Sequence, residues 1–310
     1  MRETTGETFA EGEGEGSRSA FVAMLGAPNA GKSTLVNALV GAKVSIVTHK
    51  VQTTRALVRG LVVDGDTQIV LVDTPGVFAP KRVLDEAMVR TAWGGAGDAD
   101  IVCLLIDARR GLDEANTRLI EGLRDVDKPR YLVINKIDTL ARPKLLALVA
   151  TLNEALAFDE TFLISALNGD GVGDLHRALV AAAPAGPWHY PGDQLSDLPM
   201  RQLAAEVTRE KLMTRLHDEL PYQIHVETET WKTLRSGAAR VEQTIYVTRE
   251  GHKKIVIGAG GATIKAIGAE ARAELRAMLE HDVQLFLFVK VRDWLTDPER
   301  YSAMGLEYPK

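Results

Sequence analysis

Gly26-Ala27-Pro28-Asn29-Ala30-Gly31-Lys32-Ser33-Thr34 is the stretch from which the rest of the chain can be placed. It matches Gly-x-x-x-x-Gly-Lys-Ser/Thr in full. The short apolar run Phe21-Val22-Ala23-Met24-Leu25 precedes it, and helical periodicity follows from Gly31 to Val40. Strand, Gly-rich turn and helix in that order are the context the motif requires. Glycines let backbone N–H groups converge on phosphate oxygens without Cβ obstruction. Lys32 would neutralise the outer phosphates and the Ser33 hydroxyl would coordinate Mg²⁺. The helix directs its positive end at the same anion. A chance lysine in an ordinary strand–turn–helix is a poor alternative to so complete a match. The motif leaves the base open: GTP and ATP fit it equally.

Outward from this loop, apolar runs recur at 69–72, 101–106, 131–134 and 161–164, with helix-like segments near 81–92, 113–123, 143–157 and 173–182. That alternation predicts βαβ units and a mainly parallel sheet. Segments 57–64 and 67–72, joined by Asp64-Gly65-Asp66, predict one antiparallel strand. Polar motifs follow three of the runs. Asp73-Thr74-Pro75-Gly76 suits water-mediated Mg²⁺ binding and a γ-phosphate contact, although alone it is a common turn. Asn135-Lys136-Ile137-Asp138 suits guanine. The Asp138 carboxylate accepts from two base donors that adenine lacks, so an unpaired carboxylate penalises adenine. Ser165-Ala166 supplies a backbone N–H for guanine O6. Each motif alone has an ordinary turn as its bland reading. Four in order, each at the C-terminal end of a predicted strand, point together to a guanine-nucleotide site.

Two further positions carry less. Gln52-Thr53-Thr54-Arg55 lies in a polar stretch, and either threonine could ligate Mg²⁺, with Thr54 preferred. Val77 stands where a water-orienting Gln often follows D-x-x-G. Valine cannot hydrogen-bond water, so slow intrinsic turnover is expected. Asn29 resembles the asparagine that ligates potassium in related GTPases, or is simply a turn residue beside Pro28.

Composition bounds the rest. The 310 residues carry a formal net charge of −5 and a single cysteine, Cys103. A lone cysteine excludes a disulfide framework and suits a reducing cytoplasm. No apolar run reaches bilayer length, and no strongly amphipathic basic helix is evident. Residues 1–18 alternate Gly and Glu and are expected to be a disordered acidic tail. A nucleotide domain is expected over 19–183, a Pro/Gly-rich linker over 184–199 and a second domain over 200–310. That last part has 17 Lys/Arg against 16 Asp/Glu, so any RNA site in it must be local. Its pattern predicts a helix at 200–217, strands at 222–231 and 239–248, a helix at 262–280 and a strand at 283–291.

Gly258-Ala259-Gly260-Gly261, between Val256-Ile257 and Ile264-Lys265, resembles the G-x-x-G turn of KH domains, where RNA phosphates pack against a helix N-terminus. Lys253, Lys254 and Lys265 are the nearby cations, and the element order is that of the prokaryotic type. Ala259-Gly260 lacks the basic residue often found between the glycines. Together with G-A-P-N-A-G-K-S-T, Gln52–Arg55, DTPG and NKID, this turn makes the chain resemble the Era family over about residues 20–308. The resemblance implies a P-loop GTPase domain with a mixed, mostly parallel sheet and a smaller α+β KH domain. It implies a cytoplasmic, monomeric switch that cycles GTP and GDP with Mg²⁺ and K⁺. It also implies binding of 16S rRNA, assistance to 30S subunit assembly, and peripheral association with the inner face of the cell membrane. Two other functions stay open on residues alone: an RNA-binding module whose nucleotide domain is only structural, and an ATP-dependent enzyme on the same fold.

Overall fold

The computed structural model describes residues 16–306. Most of the expected acidic tail, 1–15, lies outside the described residues. Its last residues do not follow the expectation: strand β1 begins at Arg18 (Arg18–Gly26). The Arg18 guanidinium donates to the Ala183 and Ala181 carbonyls, each at 2.8 Å, and the Ser17 hydroxyl donates to the Gly186 carbonyl. A long cation with main-chain acceptors in reach orders a segment that composition alone leaves loose.

The chain packs as two units. The first holds a six-stranded sheet in the order β2-β3-β1-β4-β5-β6. β2 (Val58–Asp64) is antiparallel to β3 (Thr67–Asp73). β1, β3, β4 (Ile101–Asp107), β5 (Arg130–Asn135) and β6 (Glu160–Ile164) run parallel. Helices α1 (Lys32–Val40), α2 (Val83–Asp98), α3 (Glu114–Leu123), α4 (Arg142–Ala155) and α5 (Val172–Ala182) lie between or after them in the chain. β3 and β4 are buried along their whole length, which explains their continuous apolar sequence. Met24, Leu35, Leu71, Leu105 and Val133 belong to one core cluster, and each such side chain contributes about 1.5–3 kcal/mol on burial. β1 pairs with β3 on one side and β4 on the other. The sheet therefore reverses its order at β1, and at such a point ligands bind.

Residues 184–197 pack with the first unit rather than standing apart. Gln68 holds the Tyr190 carbonyl and the His189 and Tyr190 amides. Asp197 takes the Arg59 amide at 2.9 Å and its guanidinium at 2.7 Å.

The second unit comprises 198–310 together with 45–56 and 80–91. Those two short segments were expected to belong to the nucleotide domain. Its sheet has the order β7-β8-β9. β7 (Ile224–Thr233) is antiparallel to β8 (Ala239–Val247), which is parallel to β9 (Val283–Val291). Helix α6 (Met200–Arg215) and helix α8 (Ala262–Leu279) share a core with this sheet, through Leu212, Ile224, Ile245 and Ile267 among others. Two helices were not expected, and the first is α7 (Glu250–Ile257). Eight residues containing Gly251 and an Ile-Val-Ile run are too short for helical periodicity to show. A last helix, α9 (Pro298–Ala303), follows.

Candidate functional site

The first unit gathers the loops that leave its parallel strands. Lys32, nearly fully buried, lays its ammonium on the Gly26 and Ala27 carbonyls at 3.1 and 3.2 Å. Burial pushes its pKa down to about 8, while the Asp73 carboxylate pulls the other way. A cation so poorly solvated is poised for a phosphate. Ser33 Oγ donates to Asp73 Oδ2 at 2.7 Å, and Asp73 is wholly buried at the end of β3. A hydroxyl beside a carboxylate forms a hard-oxygen donor set that fits Mg²⁺. No group of three acidic, His or Cys side chains that could hold a metal stands among the described residues. Magnesium commonly takes one or two protein ligands and completes its shell with phosphates and water.

The DTPG loop closes on the phosphate loop. Thr74 Oγ1 donates to the Met24 carbonyl at 2.6 Å, and the Val77 amide donates to the Gly26 carbonyl at 3.1 Å. At Gly76 a Cβ would stand 2.9 Å from both Cα and N of Pro28, so glycine allows that approach. Val77 is buried and offers no hydrogen bond from its side chain.

Asn135 joins three loops. Its Nδ2 donates to the Ala30 carbonyl at 2.8 Å. Its Oδ1 accepts from the Lys136 and Ala166 amides at 2.8 and 3.0 Å. Of the amides in the Ser165-Ala166 turn, from which one was expected to meet guanine O6, that of Ala166 is thus engaged by Asn135. Ser165 and Ala166 are buried, whereas Leu167 is exposed. Asp138, three residues further along, is exposed, whereas Asn135 is buried.

One partner was missed by sequence reasoning. Lys136 Nζ donates to Asp107 Oδ2 at 2.7 Å and to the Asn29 carbonyl at 2.6 Å. Burial alone would raise the Asp107 carboxyl. Bonds from Lys136 and Arg109 outweigh it and hold the group below its ordinary value. The signal was present, because Asp107 ends the apolar run 101–106 and pairs in register with Asn135.

The expected Thr53 and Thr54 fall in the second unit. The Thr53 hydroxyl donates to the Lys50 carbonyl at 2.9 Å and lies 2.7 Å from that of Thr48. The second unit also holds the expected RNA-facing residues. Gly258, Gly260 and Gly261 all have left-handed φ, so a side chain would be strained at each of those three positions. α8 begins directly after it. Lys254 and Lys265 are exposed and Lys253 half-buried. Ile267 is core and Ile264 packs on the core. Ile255, which sequence reasoning passed over, is 55% exposed beside Lys254.

Comparison with known proteins agrees with this geometry. Residues 21–136 match the model of the 50S ribosome-binding GTPase family, and residues 219–295 match the KH domain model. The GTPase Era of Afipia carboxidovorans is 62% identical over 305 residues, covering 98% of this chain and 99% of that protein. The chain belongs to the Era GTPase family. The GTPase Era of Brucella suis biovar 1 is 59% identical over 310 residues, with both chains covered in full. Among solved structures, Era in complex with MgGDPNP and nucleotides 1506–1542 of 16S ribosomal RNA superposes with a TM-score of 0.88 at 36% identity. The match covers 93% of this chain and 99% of that one. An Era variant of Aquifex aeolicus bound to GDP·AlF4⁻ matches with the same TM-score, identity and coverage. The fold is therefore a P-loop GTPase domain with a mixed, mostly parallel sheet, followed by a KH domain.

Proposed function

We propose that the chain binds GTP with Mg²⁺, hydrolyses it to GDP and phosphate, and binds 16S rRNA through its KH turn to assist assembly of the 30S subunit. The observation that carries this is the meeting of Lys32, Ser33, Asp73 and Asn135 at one sheet edge, in a chain that also has the KH turn. The related structure bound to MgGDPNP and 16S rRNA supports the same pairing of ligands.

Lys32 and the backbone N–H groups of the loop Gly26–Ser33, of which Pro28 has none, hold the phosphate tail, while Asp138 reads the donor edge of guanine. Ser33 would hold Mg²⁺ directly, Asp73 through water, and Thr54 once the γ-phosphate is present. The ion supplies positive charge against the phosphate oxygens when bound. Water attacks the γ-phosphorus. The bond to the β,γ-bridging oxygen breaks, GDP leaves with the electron pair, and the water's proton passes to the released phosphate. Positioning and charge neutralisation provide most of the acceleration. Val77 contributes nothing to orienting the water, so intrinsic turnover is slow. Asn29 would hold a potassium ion, which would supply a further positive charge. The protein works as a cytoplasmic monomer with a peripheral hold on the inner face of the cell membrane. Among the described residues no helix is long and apolar enough to cross a membrane.

Multiple-turnover phosphate release with GTP, and with ATP as control, tests the first half. A rate equal to that of buffer would favour a structural nucleotide domain instead. Replacing sodium by potassium tests Asn29, and sedimentation with anionic vesicles tests the membrane contact. The variant Gly260→Asp, Gly261→Asp tests the KH assignment: it should lose 16S rRNA and keep GTP. RNA affinity unchanged in that variant removes the assignment.

A further inference from the structure

Asp107 closes β4, and its ordinary role there is to cap a turn. Its Oδ1 accepts the Arg109 amide at 3.0 Å, and its own carbonyl accepts the Arg110 and Gly111 amides at 2.9 and 3.2 Å. One side-chain oxygen suffices for that, and asparagine caps such turns equally well. The second oxygen has a different task. Oδ2 accepts the Lys136 ammonium at 2.7 Å and the Arg109 guanidinium at 3.3 Å. Asp107 is 5% exposed, and a carboxylate so enclosed is costly unless it is paired. A turn alone gives no reason to bury the charge.

Lys136 is what the charge holds. Its ammonium also donates to the Asn29 carbonyl at 2.6 Å, in the phosphate loop. Both ends of that link are strained. Among the described residues five non-glycine positions have left-handed φ, and Asn29 at 63° and Lys136 at 64° are two of them. Asparagine tolerates this region, whereas lysine keeps to it only where its surroundings hold it there. The Lys136 stem runs from that backbone to two oxygens, Asp107 Oδ2 and the Asn29 carbonyl, so this chain alone fixes its course. β4 and β5 pair in register at Asp107 and Asn135, and the Ala108 amide donates to the Asn135 carbonyl at 2.9 Å. The carboxylate therefore starts from the strand beside the one that delivers Lys136.

We propose that Asp107 is a positioning residue for guanine binding: its Oδ2 fixes the Lys136 stem as a wall for the base and ties the 135–138 loop to the phosphate loop at Asn29. The proposal rests on the reading of 135–138 as the guanine loop. Asp107 acts through Lys136 and touches no nucleotide itself. Its loss loosens the grip on the base and leaves the charges around the phosphates in place, so retention of nucleotide suffers and the chemical step does not.

The experiment follows release of a fluorescent GDP from the full chain by stopped flow, in the parent, Asp107→Asn, Lys136→Ala and the double variant. Asp107→Asn keeps an oxygen for the Arg109 amide but turns an amino group towards the Lys136 ammonium. It should release GDP about tenfold faster, the loss of one charge-assisted bond. In steady-state turnover its KM for GTP should rise, with kcat within about twofold of the parent. In the Lys136→Ala background the same substitution should change release by less than about twofold, because the group it acts through is gone. Where Asp107→Asn does not fold, Asp107→Glu, which keeps the charge one methylene further out, serves the same comparison with a smaller factor. Release at the parent rate in folded Asp107→Asn overturns the proposal and leaves Asp107 a turn cap. So does an equal factor with and without Lys136. Lys136→Ala releasing GDP at the parent rate would instead sink the reading of 135–138 as the guanine loop.

Discussion

Asn135→Ala should damage stability and nucleotide binding together, and the structure sets the scale. The parent side chain is 2% exposed and makes three hydrogen bonds, at 2.8, 2.8 and 3.0 Å, to the Ala30 carbonyl and the Lys136 and Ala166 amides. Ala30 and Ala166 are themselves buried, so truncation strands one carbonyl and one amide away from water. Each orphaned group costs about 1–3 kcal/mol. Lys136 is half-buried, so water replaces most of its lost bond. A loss of about 3 kcal/mol follows, which for a unit of this size lowers Tm by about 6–12 °C. Differential scanning calorimetry of the nucleotide-free protein measures it. Fluorescent GDP titration should show affinity down by at least about tenfold, since the three loops lose their common tie. Asp138→Ala is the control. That side chain is exposed, so Tm should stay put while guanine affinity drops. An Asn135→Ala protein melting within about 2 °C of the parent would refute the argument that this side chain holds the three loops.

Asp138→Asn should move preference from GTP towards xanthosine triphosphate by at least about a hundredfold; competition binding with both nucleotides decides it, and an unchanged preference restores the ATP-dependent alternative. Gly76→Ala pushes a methyl group to 2.9 Å from the Pro28 backbone, so GTP turnover should fall further than GDP affinity. Equal losses would mean that the loop relaxes freely. Cys103 is fully buried, and burial pushes its thiol up to about 12 from 9.0. A raised folded-state value gives stability that is complete below pH 9 and lost as pH climbs towards 12, at about 1.4 kcal/mol per unit. Urea midpoints between pH 9 and 11 should therefore fall faster in the parent than in Cys103→Ala, and parallel slopes would contradict this.

Much of the nucleotide site was legible because its chemistry is local. Each motif sits just after an apolar run, and runs and turns are encoded by residues adjacent in the chain. The same holds for the KH turn, whose glycines are demanded by backbone angles within four residues. Asp107 was half-legible: its position at a strand end was visible, but its bond to Lys136 needed the register of β4 against β5. α7 escaped because eight residues do not complete enough turns to show a period.

What the sequence by itself determined was the order of elements, the guanine-selective motifs and the family. What only the tertiary structure decided was where the polar segments rest. Gln52–Arg55 packs with the RNA-binding unit, and the stretch up to Asp197 packs with the nucleotide unit. The physical reason lies in the acceptors. Arg55 is held by the carbonyls of Pro221, Tyr222 and Ile224, and Arg209 by that of Thr53. Every residue has a carbonyl, so such partners leave no trace in the order of side chains. They become specific only when folding brings them within 3 Å or so of a guanidinium.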